Sequence, residues 1–269
     1  MSTEMTTLDV IIPSLPGNPY CDTAIDSVLA QNTDTLRVRA IVVEDGPASE
    51  VAEVRPGVHR VFTGARQGSG AATNLGLRLS SAQFIARHDA DDVSLQGRLH
   101  KQVQYLIEHP RVVLVGGGGF LIDEKGVRFG RYPGAPVGDV RAALTRRNVL
   151  VHSTFVMRRA DLVAAGGYDE RFIRMQDYEL ALRLALRGEV HRMPDELIEY
   201  RVHSGQTSRR ASGMASLLWR VGVSRSRLSR ELGLPTLHQC AANLAYSGAQ
   251  VLRYTGLRSP RYVTRKEPL

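Results

Sequence analysis

The stretch LDVIIPSLPGNPYCDTAIDSVLAQNTDTLRVRAIVVEDG, residues 8–46, decides the fold. Its first seven residues form a short, β-branched apolar run that closes near Pro13, which is typical of a buried strand. Residues 23–31 then place apolar side chains on one face at helical spacing, and residues 38–46 return to the strand pattern. A strand, a helix and a strand in that order predict parallel pairing of the two strands.

The same alternation continues beyond residue 46 and predicts a doubly wound α/β sheet. The further predicted elements are strands over 58–64, 83–89, 112–123 and 149–159, and helices over 69–80, 98–108, 159–167 and 176–188. In sheets of this type, ligands bind outside the carboxyl ends of the strands. Pro13, Asp45 and Asp89 all fall at such ends, so we expect them to face one cleft.

The chain changes character after His203, where helical patterns over 211–232 and 236–255 predict a boundary near residue 208. Residues 1–208 then form one domain and residues 209–269 a helical C-terminal region. From residue 201 onward there are 12 Arg and Lys residues against two glutamates, whereas the first 200 residues hold 23 basic and 25 acidic groups. A basic tail attracts an anionic membrane face. A solvated helical surface, an acceptor contact and a homodimer contact are the alternatives.

Composition excludes several classes of protein. A chain of 269 residues with 43% hydrophobic and 23% charged residues is globular rather than disordered. The nearly apolar run at 112–122 is too short and too rich in glycine to span a bilayer, and the N-terminus lacks the features of a signal peptide, so we expect a cytoplasmic protein. Cys21 and Cys240 have no partner spacing for a metal site or a disulfide framework.

Three carboxylates crowd the segment ARHDADDVSL, residues 86–95, directly after an apolar strand. Mutual repulsion and desolvation both oppose placing Asp89, Asp91 and Asp92 together unless a positive group lies nearby. Mg²⁺ or Mn²⁺ is such a group, because both ions prefer carboxylate, water and substrate phosphate as ligands. Acidic triplets also occur in solvated turns and at helix N-caps, so this segment alone does not decide between a metal site and a turn.

The order of the motifs is more specific than any one of them, and in it the chain resembles the family 2 glycosyltransferases. The shared segments are VIIPS (10–14), AIDSVLAQ (24–31), VVEDG (42–46), GSGAATNLG (68–76), HDADD (88–92), STFVMRRADLVAAGGYDE (153–170), QDYELALRLA (176–185) and YRVH (200–203). They cover about residues 8–205. The resemblance implies an α/β protein of GT-A fold, with a Rossmann-like, mostly parallel sheet flanked by helices, followed here by a C-terminal helical appendage.

The resemblance also implies roles on the donor side. Pro13 and Leu15 lie where the family contacts the nucleotide base, and Asp45 matches the carboxylate that accepts a hydrogen bond from the base imide. Asp89 would meet the ribose or the donor sugar. The donor would be a nucleoside-diphosphate sugar.

For the metal and the chemistry, the resemblance implies that Asp91 and His203 bind Mn²⁺ or Mg²⁺, while Asp92 is structural. A histidine satisfied by a backbone group is the alternative for His203. Asp177 matches the carboxylate that takes the proton from the acceptor hydroxyl in an inverting transfer. Its alternative role is that of an acidic residue favoured by the dipole at a helix N-terminus.

Several positions depart from the family pattern. Gln176 replaces the usual Glu, Pro47 the usual Ser, Leu15 a common aromatic and Thr73 a frequent Arg. These changes leave the base and metal roles intact but leave the nucleotide open among UDP, dTDP and GDP. Arg66 is a candidate substitute for the missing cation near the diphosphate, or a solvated loop charge.

The sequence therefore predicts an inverting, metal-dependent glycosyltransferase that acts on a hydroxyl of a cell-envelope glycan or lipid-linked acceptor, peripheral to the inner face of the cell membrane. A non-catalytic scaffold of the same fold is the alternative. PSLPGNP at 13–19 disfavours a sugar nucleotidylyltransferase, which normally has a glycine-rich basic loop there, and GARQGSGAA at 64–72 lacks the order of a dinucleotide-binding motif. We expect no nucleic-acid partner, because the aromatics of the tail belong to no recognisable binding module.

Overall fold

The computed structural model of the protein describes residues 5–48, 55–203 and 214–254. The strands are β1 (Thr6–Ser14), β2 (Leu36–Glu44), β3 (Val58–Phe62), β4 (Phe84–Arg87), β5 (Val93–Ser94), β6 (Val112–Ile122), β7 (Arg128–Arg131), β8 (Gly138–Asp139), β9 (Val156–Arg158) and β10 (Glu189–Arg201). The helices are α1 (Cys21–Leu29), α2 (Ser69–Leu79), α3 (Arg98–Glu108), α4 (Arg141–Leu144), α5 (Arg159–Ala164), α6 (Gln176–Ala185), α7 (Met214–Glu231) and α8 (Thr236–Tyr254).

These strands form one mixed sheet with the order β3-β2-β1-β4-β9-β6-β10-β5. The first four strands of that order are parallel, as the alternation of strand and helix predicts. Apolar side chains cover both faces of β1: Leu8, Val10 and Ile12 belong to the cluster packed against α1 and α3, and Ile11 to the cluster on the other face. Helices on both faces are the usual cover for a parallel sheet.

The second half of the sheet differs from the prediction most of all at β9 and β10, and the short strands β5, β7 and β8 were not predicted either. The strand expected over 149–159 is reduced to β9, because a 3₁₀ turn at His152–Thr154 precedes it. The Thr154 hydroxyl holds this turn by donating to Val151 O at 2.6 Å and accepting from the Gly117 N–H at 2.8 Å. The long strand β10 was not predicted. It pairs in parallel with β6, and its sequence EVHRMPDELIEYR is too polar to show a buried strand.

The two C-terminal helices occupy the predicted ranges and pack into the core of the larger unit. Leu217, Val221 and Tyr246 lie in the same buried cluster as the apolar face of α6. The predicted boundary near residue 208 lies outside the described residues, so the division into two domains stays a prediction. Among the helices that the structure describes, none has both the length and the apolar composition needed to cross a bilayer.

Candidate active site

The cleft lies where β1 separates from β4. The pairing of β1 with β2 runs to Ser14, whereas the pairing of β1 with β4 stops at Ile11 and Arg87. The chain runs outward from β1 through β2 to β3 and then returns to β4 on the other side of β1, and such a reversal of strand order is where open α/β sheets bind ligands. Pro13 is buried at the end of β1, and Leu15 beyond it is 40% exposed.

Asp45 follows β2 and is buried at the same edge of the sheet. One of its oxygens accepts a hydrogen bond from the Gln67 N–H at 2.7 Å and from the Thr63 hydroxyl at 3.2 Å, and the other accepts from the Gly68 N–H at 2.9 Å. The carboxylate therefore anchors the loop that leads into α2. About one of its roughly four lone-pair sites is left for a ligand.

Asp89 follows β4 and sits between a cation and a hydroxyl. Arg87 donates to its Oδ1 at 2.6 Å, and Ser153 donates to its Oδ2 at 2.8 Å. Burial raises the pKa of the Asp89 carboxyl, but the Arg87 charge and these hydrogen bonds outweigh burial, and the pKa lies well below its usual range. Asp89 is therefore a carboxylate throughout the physiological range.

Arg87 itself is almost fully buried, at 2% exposure. Its Nη2 also approaches the Ser69 hydroxyl, at the start of α2, at 3.3 Å. Within the described part of the chain, its Nε and Nη1 find no hydrogen-bond acceptor. Arg66, by contrast, is exposed, and Thr73 donates to Ser69 O within its own helix. The buried cation beside α2 is thus Arg87, which the sequence argument missed even though an arginine ending an apolar strand was a visible signal.

Asp91 and His203 meet at the end of β10. His203 Nε2 lies 2.8 Å from Asp91 Oδ2, and this hydrogen bond raises the pKa of the imidazole. Within the described ranges, no three His, Cys, Asp or Glu side chains gather to hold a metal by themselves. One carboxylate and one imidazole nevertheless suit a divalent ion that takes its other ligands from water and a diphosphate.

The neighbouring Asp92 has a different environment. It is buried, and its Oδ1 accepts the Arg201 backbone N–H at 2.9 Å. Arg201 Nε also donates to the Asp91 carbonyl at 2.9 Å, so β10 is tied to the acidic segment at two points. Burial, together with the charges of Asp91 and Asp89, raises the pKa of Asp92. These contacts accord with the structural role expected of Asp92.

Asp177 lies in the first turn of α6, within electrostatic range of Asp89. The helix begins after Met175, whose φ of 57° is left-handed, an uncommon conformation for a residue other than glycine. Asn148 donates to Asp177 Oδ2 at 2.7 Å. Burial raises the pKa of Asp177, backbone N–H groups oppose the shift, and the negative charge of Asp89 adds to it. The net result is a raised pKa.

His152 and Tyr168 form a hydrogen-bonded pair of rings in the neighbourhood of Asp89 and Asp177. His152 Nε2 is 2.8 Å from the Tyr168 hydroxyl, and burial lowers the pKa of His152 to about 3, so the imidazole is neutral. Asn74 of α2 accepts the Tyr168 N–H at 2.8 Å and donates to its carbonyl at 2.9 Å. No local pattern in the sequence marks His152 or Asn148 as a site residue.

The known proteins to which this chain is similar in sequence are glycosyltransferases. The sequence model of glycosyl transferase family 2 matches residues 9–162. The amylovoran biosynthesis glycosyltransferase AmsE of Erwinia amylovora is 34% identical over 145 residues, which make up 53% of this chain and 54% of that protein. The O-antigen biosynthesis glycosyltransferase WbnJ of Escherichia coli is 28% identical over 216 residues, 76% of this chain and 83% of that protein. The match therefore spans about half the length of the Erwinia protein and most of the Escherichia one.

Solved structures share the architecture. S. aureus TarS 1–349 has a TM-score of 0.66 at 12% identity, covering 94% of this chain and 74% of that chain. The same TarS fragment in complex with UDP-GlcNAc has a TM-score of 0.66 at 14% identity, covering 88% and 70%. Identities this low show the fold alone, and the expected GT-A architecture is confirmed. With its family model matched over more than half of its length, the chain belongs to glycosyl transferase family 2.

Proposed function

We propose that this protein is an inverting glycosyltransferase that moves a sugar from a nucleoside diphosphate to a hydroxyl of a cell-envelope glycan. One arrangement carries the proposal. Asp89 is held by Arg87 and Ser153 at the end of β4. Asp177, held by Asn148 at the start of α6, lies within electrostatic range of Asp89. Carboxylates with pKa values moved in opposite directions are typical of sites that divide binding from proton transfer.

On the donor side, the ends of β1, β2 and β4 supply the groups that hold the nucleotide sugar. Leu15 and the free acceptor site of Asp45 face the base, and Asp89, kept ionised by Arg87, accepts hydrogen bonds from hydroxyls of the ribose or the sugar. S. aureus TarS 1–349, which shares this fold, has been solved in complex with UDP-GlcNAc, and this supports UDP sugars as the first donors to test.

Asp91 and His203 would hold Mg²⁺ or Mn²⁺ together with the diphosphate oxygens. The ion supplies charge neutralisation for the departing diphosphate.

The chemical step needs a base on the other face of the reacting carbon. An acceptor hydroxyl oxygen attacks the anomeric carbon as its proton passes to the Asp177 carboxylate, and the bond from that carbon to the phosphate oxygen breaks with its electron pair leaving on the diphosphate. Attack opposite the leaving group inverts the anomeric centre. Asn148 and backbone N–H groups at the start of α6 hold the Asp177 carboxylate in place for this transfer.

The relatives support the class of acceptor. Amylovoran and O-antigen are the products named for the Erwinia and Escherichia proteins. Both proteins are biosynthesis glycosyltransferases. By extension, we propose that this chain transfers its sugar to a cell-envelope glycan, either free or lipid-linked.

The test compares Asp177→Asn with Asp34→Asn, a control at the exposed turn before β2, at the opposite end of the sheet. A thermal-shift screen with UDP, dTDP and GDP sugars, with and without Mn²⁺, first identifies the donor, because a ligand that binds the native state raises its apparent stability. Transfer is then followed by release of the nucleoside diphosphate in the presence of candidate glycan acceptors.

We expect Asp177→Asn to bind the donor as the wild type does and to lose about 10²-fold to 10⁴-fold in turnover, the usual contribution of a positioned base. Asp34→Asn should match the wild type in both. Full turnover by Asp177→Asn would refute its role as the base. Absence of any nucleotide-dependent stabilisation in the wild type would favour the non-catalytic scaffold instead.

A further inference from the structure

The outward faces of α7 and α8 carry an apolar surface that the fold does not cover. Trp219 is 70% exposed, Leu244 76% and Leu237 85%. A groove of about 670 Å³ runs between the two helices and is lined by Trp219, Val223 and Leu244, with Arg230 at its border. The outward face of a surface helix is normally polar. Contiguous exposed apolar side chains mark a site of contact with another molecule or a membrane.

Helix α8 lacks charged residues over most of its length. Between Thr236 and Leu252 the helix contains no Asp, Glu, Lys or Arg. Its inward face is already used, since Gln239, Tyr246 and Gln250 are buried. The apolar outward face is therefore not needed to pack the helix onto the rest of the protein.

Positive charge accompanies the apolar surface on α7 and in the flanking sequence. On α7, Arg227 and Arg230 are exposed, and Arg220 is partly exposed. Along the sequence, Arg209 and Arg210 precede the helix pair, and residues 253–269 contain five basic residues against one glutamate. Apolar side chains that include a tryptophan, bordered by arginines, are the composition of helices that lie in the plane of an anionic bilayer surface.

Charge also favours an anionic membrane over a second copy of the chain as the partner of this surface. A two-fold interface brings the same surface of both copies together, so the arginines of each copy would approach those of the other. Like charges facing each other oppose association. Anionic lipid headgroups complement the same arginines.

We infer that the outward surface of α7 and α8, centred on Trp219 and Leu244, docks the protein on an anionic lipid bilayer. The apolar side chains enter the boundary between headgroups and acyl chains, and the arginines meet the lipid phosphates. The inward faces of the same helices contact α6, which begins beside Asp177, so docking would bring the acceptor side of the cleft to the membrane. The docking itself does not depend on the proposed transferase activity.

The experiment uses the full-length chain and its single tryptophan. Because Trp219 is that tryptophan, its fluorescence reports on the proposed surface without a label. The protein is titrated with vesicles of phosphatidylglycerol and, separately, phosphatidylcholine, at low and high salt, and bound protein is measured by co-sedimentation. We expect a blue shift and sedimentation with phosphatidylglycerol only, with binding weakened by high salt.

Two variants and a control test the residues. Arg227→Gln/Arg230→Gln should weaken partitioning roughly tenfold to thirtyfold, since each basic residue contributes at an anionic surface. Leu237→Ser/Leu244→Ser should weaken it by a similar factor. The control Val127→Ser/Phe129→Ser removes exposed apolar groups from the β7 hairpin and should bind as the wild type does.

Three results would overturn the inference. These are equal binding to both lipids, wild-type binding by either of the two test variants, and a blue shift that depends on protein concentration without vesicles. The last result, with a dimer mass in light scattering, would assign the surface to a second copy of the chain.

Discussion

The two sides of the cleft hold their carboxylates by opposite means. On the proposed donor side, a buried arginine lies 2.6 Å from Asp89 and lowers the pKa of that carboxyl. On the proposed acceptor side, Asp177 has the neutral Asn148 as its side-chain partner, and burial raises its pKa. A cation keeps a buried carboxylate ionised, whereas without a cation burial dominates and the carboxyl holds a proton more readily. The difference teaches that the partner, more than the carboxylate itself, sets the role.

The supports of the two sides also differ. The donor-side carboxylates follow strands β2 and β4 and are fixed by nearby loops. The acceptor side is supported from the C-terminal helices: Arg225 is fully buried and donates from Nη2 to Arg146 O at 2.9 Å, while Gln239 donates to Thr145 O at 3.0 Å. These carbonyls lie only a few residues before Asn148. The basic tail therefore includes a residue that supports the proposed base.

Replacement of Arg87 should have the largest effect. Arg87→Met leaves Asp89 without its cation, and we expect a loss of about 3 kcal/mol in the free energy of unfolding, the low end for a broken buried pair, because Asp89 is 32% exposed. Donor binding should weaken with it, and kcat/KM should fall about 100-fold. Urea unfolding and donor titration provide the measurements. Lys101→Met, which breaks the exposed pair with Asp195, is the control and should cost under about 1 kcal/mol.

An unchanged donor affinity in Arg87→Met would contradict the assignment of Arg87 to the donor side. The fold can still be checked in that case, because circular dichroism and the melting temperature report on it independently.

Removal of Arg225 should affect turnover but not donor binding, and so distinguish the proposed acceptor side from the donor side. Arg225→Met takes away the hydrogen bonds to the loop before Asn148, and we expect about 2 kcal/mol lower stability, as for a hydrogen bond from a charged group. Turnover should fall about tenfold because Asp177 is less firmly placed, since small misplacements of catalytic groups are costly. Donor affinity should stay within about twofold. Arg227→Met, exposed on the same helix, is the matched control.

The measurement is the split between kcat and donor Kd in a vesicle-free assay. If Arg225→Met weakened donor binding as much as turnover, the C-terminal helices would support the whole cleft and the contrast between its two sides would fail.

Loss of the Asn148 amide should change the pH profile. The amide stabilises the ionised form of Asp177, so its removal in Asn148→Ala raises the pKa of this carboxyl further. The base is active when deprotonated, and activity falls as the pH drops through this pKa. The acid limb of kcat/KM should therefore move to higher pH, and at a fixed pH below the limb the rate should fall about tenfold, equivalent to one hydrogen bond to a charged group.

The variant Asn148→Asp tests the same contact between residue 148 and Asp177 in a second way. A carboxylate in place of the amide should move the acid limb in the same direction by like-charge repulsion. An unmoved limb in both variants, measured with unchanged melting temperatures, would mean that another group titrates.

Periodicity and strand ends explain why the positions of two candidate carboxylates were predictable. The segment at 8–46 has local patterns strong enough to specify β1, α1 and β2, and the carboxyl ends of parallel strands must meet at one edge. Asp45 and Asp89 could therefore be placed together without coordinates. The family and the GT-A fold follow from the order of the motifs and are confirmed.

Other parts depend on contacts between distant segments. The polar strand β10 is a strand because β6 supplies its pairing, and nothing in its own pattern indicates this. Arg225 looks in the sequence like one more basic residue of a solvated tail, but it is buried against Thr145, 80 residues earlier. The role of such a residue depends on tertiary packing, which no local spacing encodes.

The smallest expected effect concerns the anchor of the donor loop. In Asp45→Asn the amide has a single acceptor oxygen, so it cannot accept from the N–H groups of Gln67 and Gly68 through separate oxygens as the carboxylate does. The loop loses about one hydrogen bond, and we expect donor KM to rise about fivefold, which corresponds to about 1 kcal/mol, with kcat unchanged. Steady-state kinetics with varied donor provide the measurement. A fall in kcat at constant KM would link this loop to the base across the cleft, and the two sides would then act as one unit.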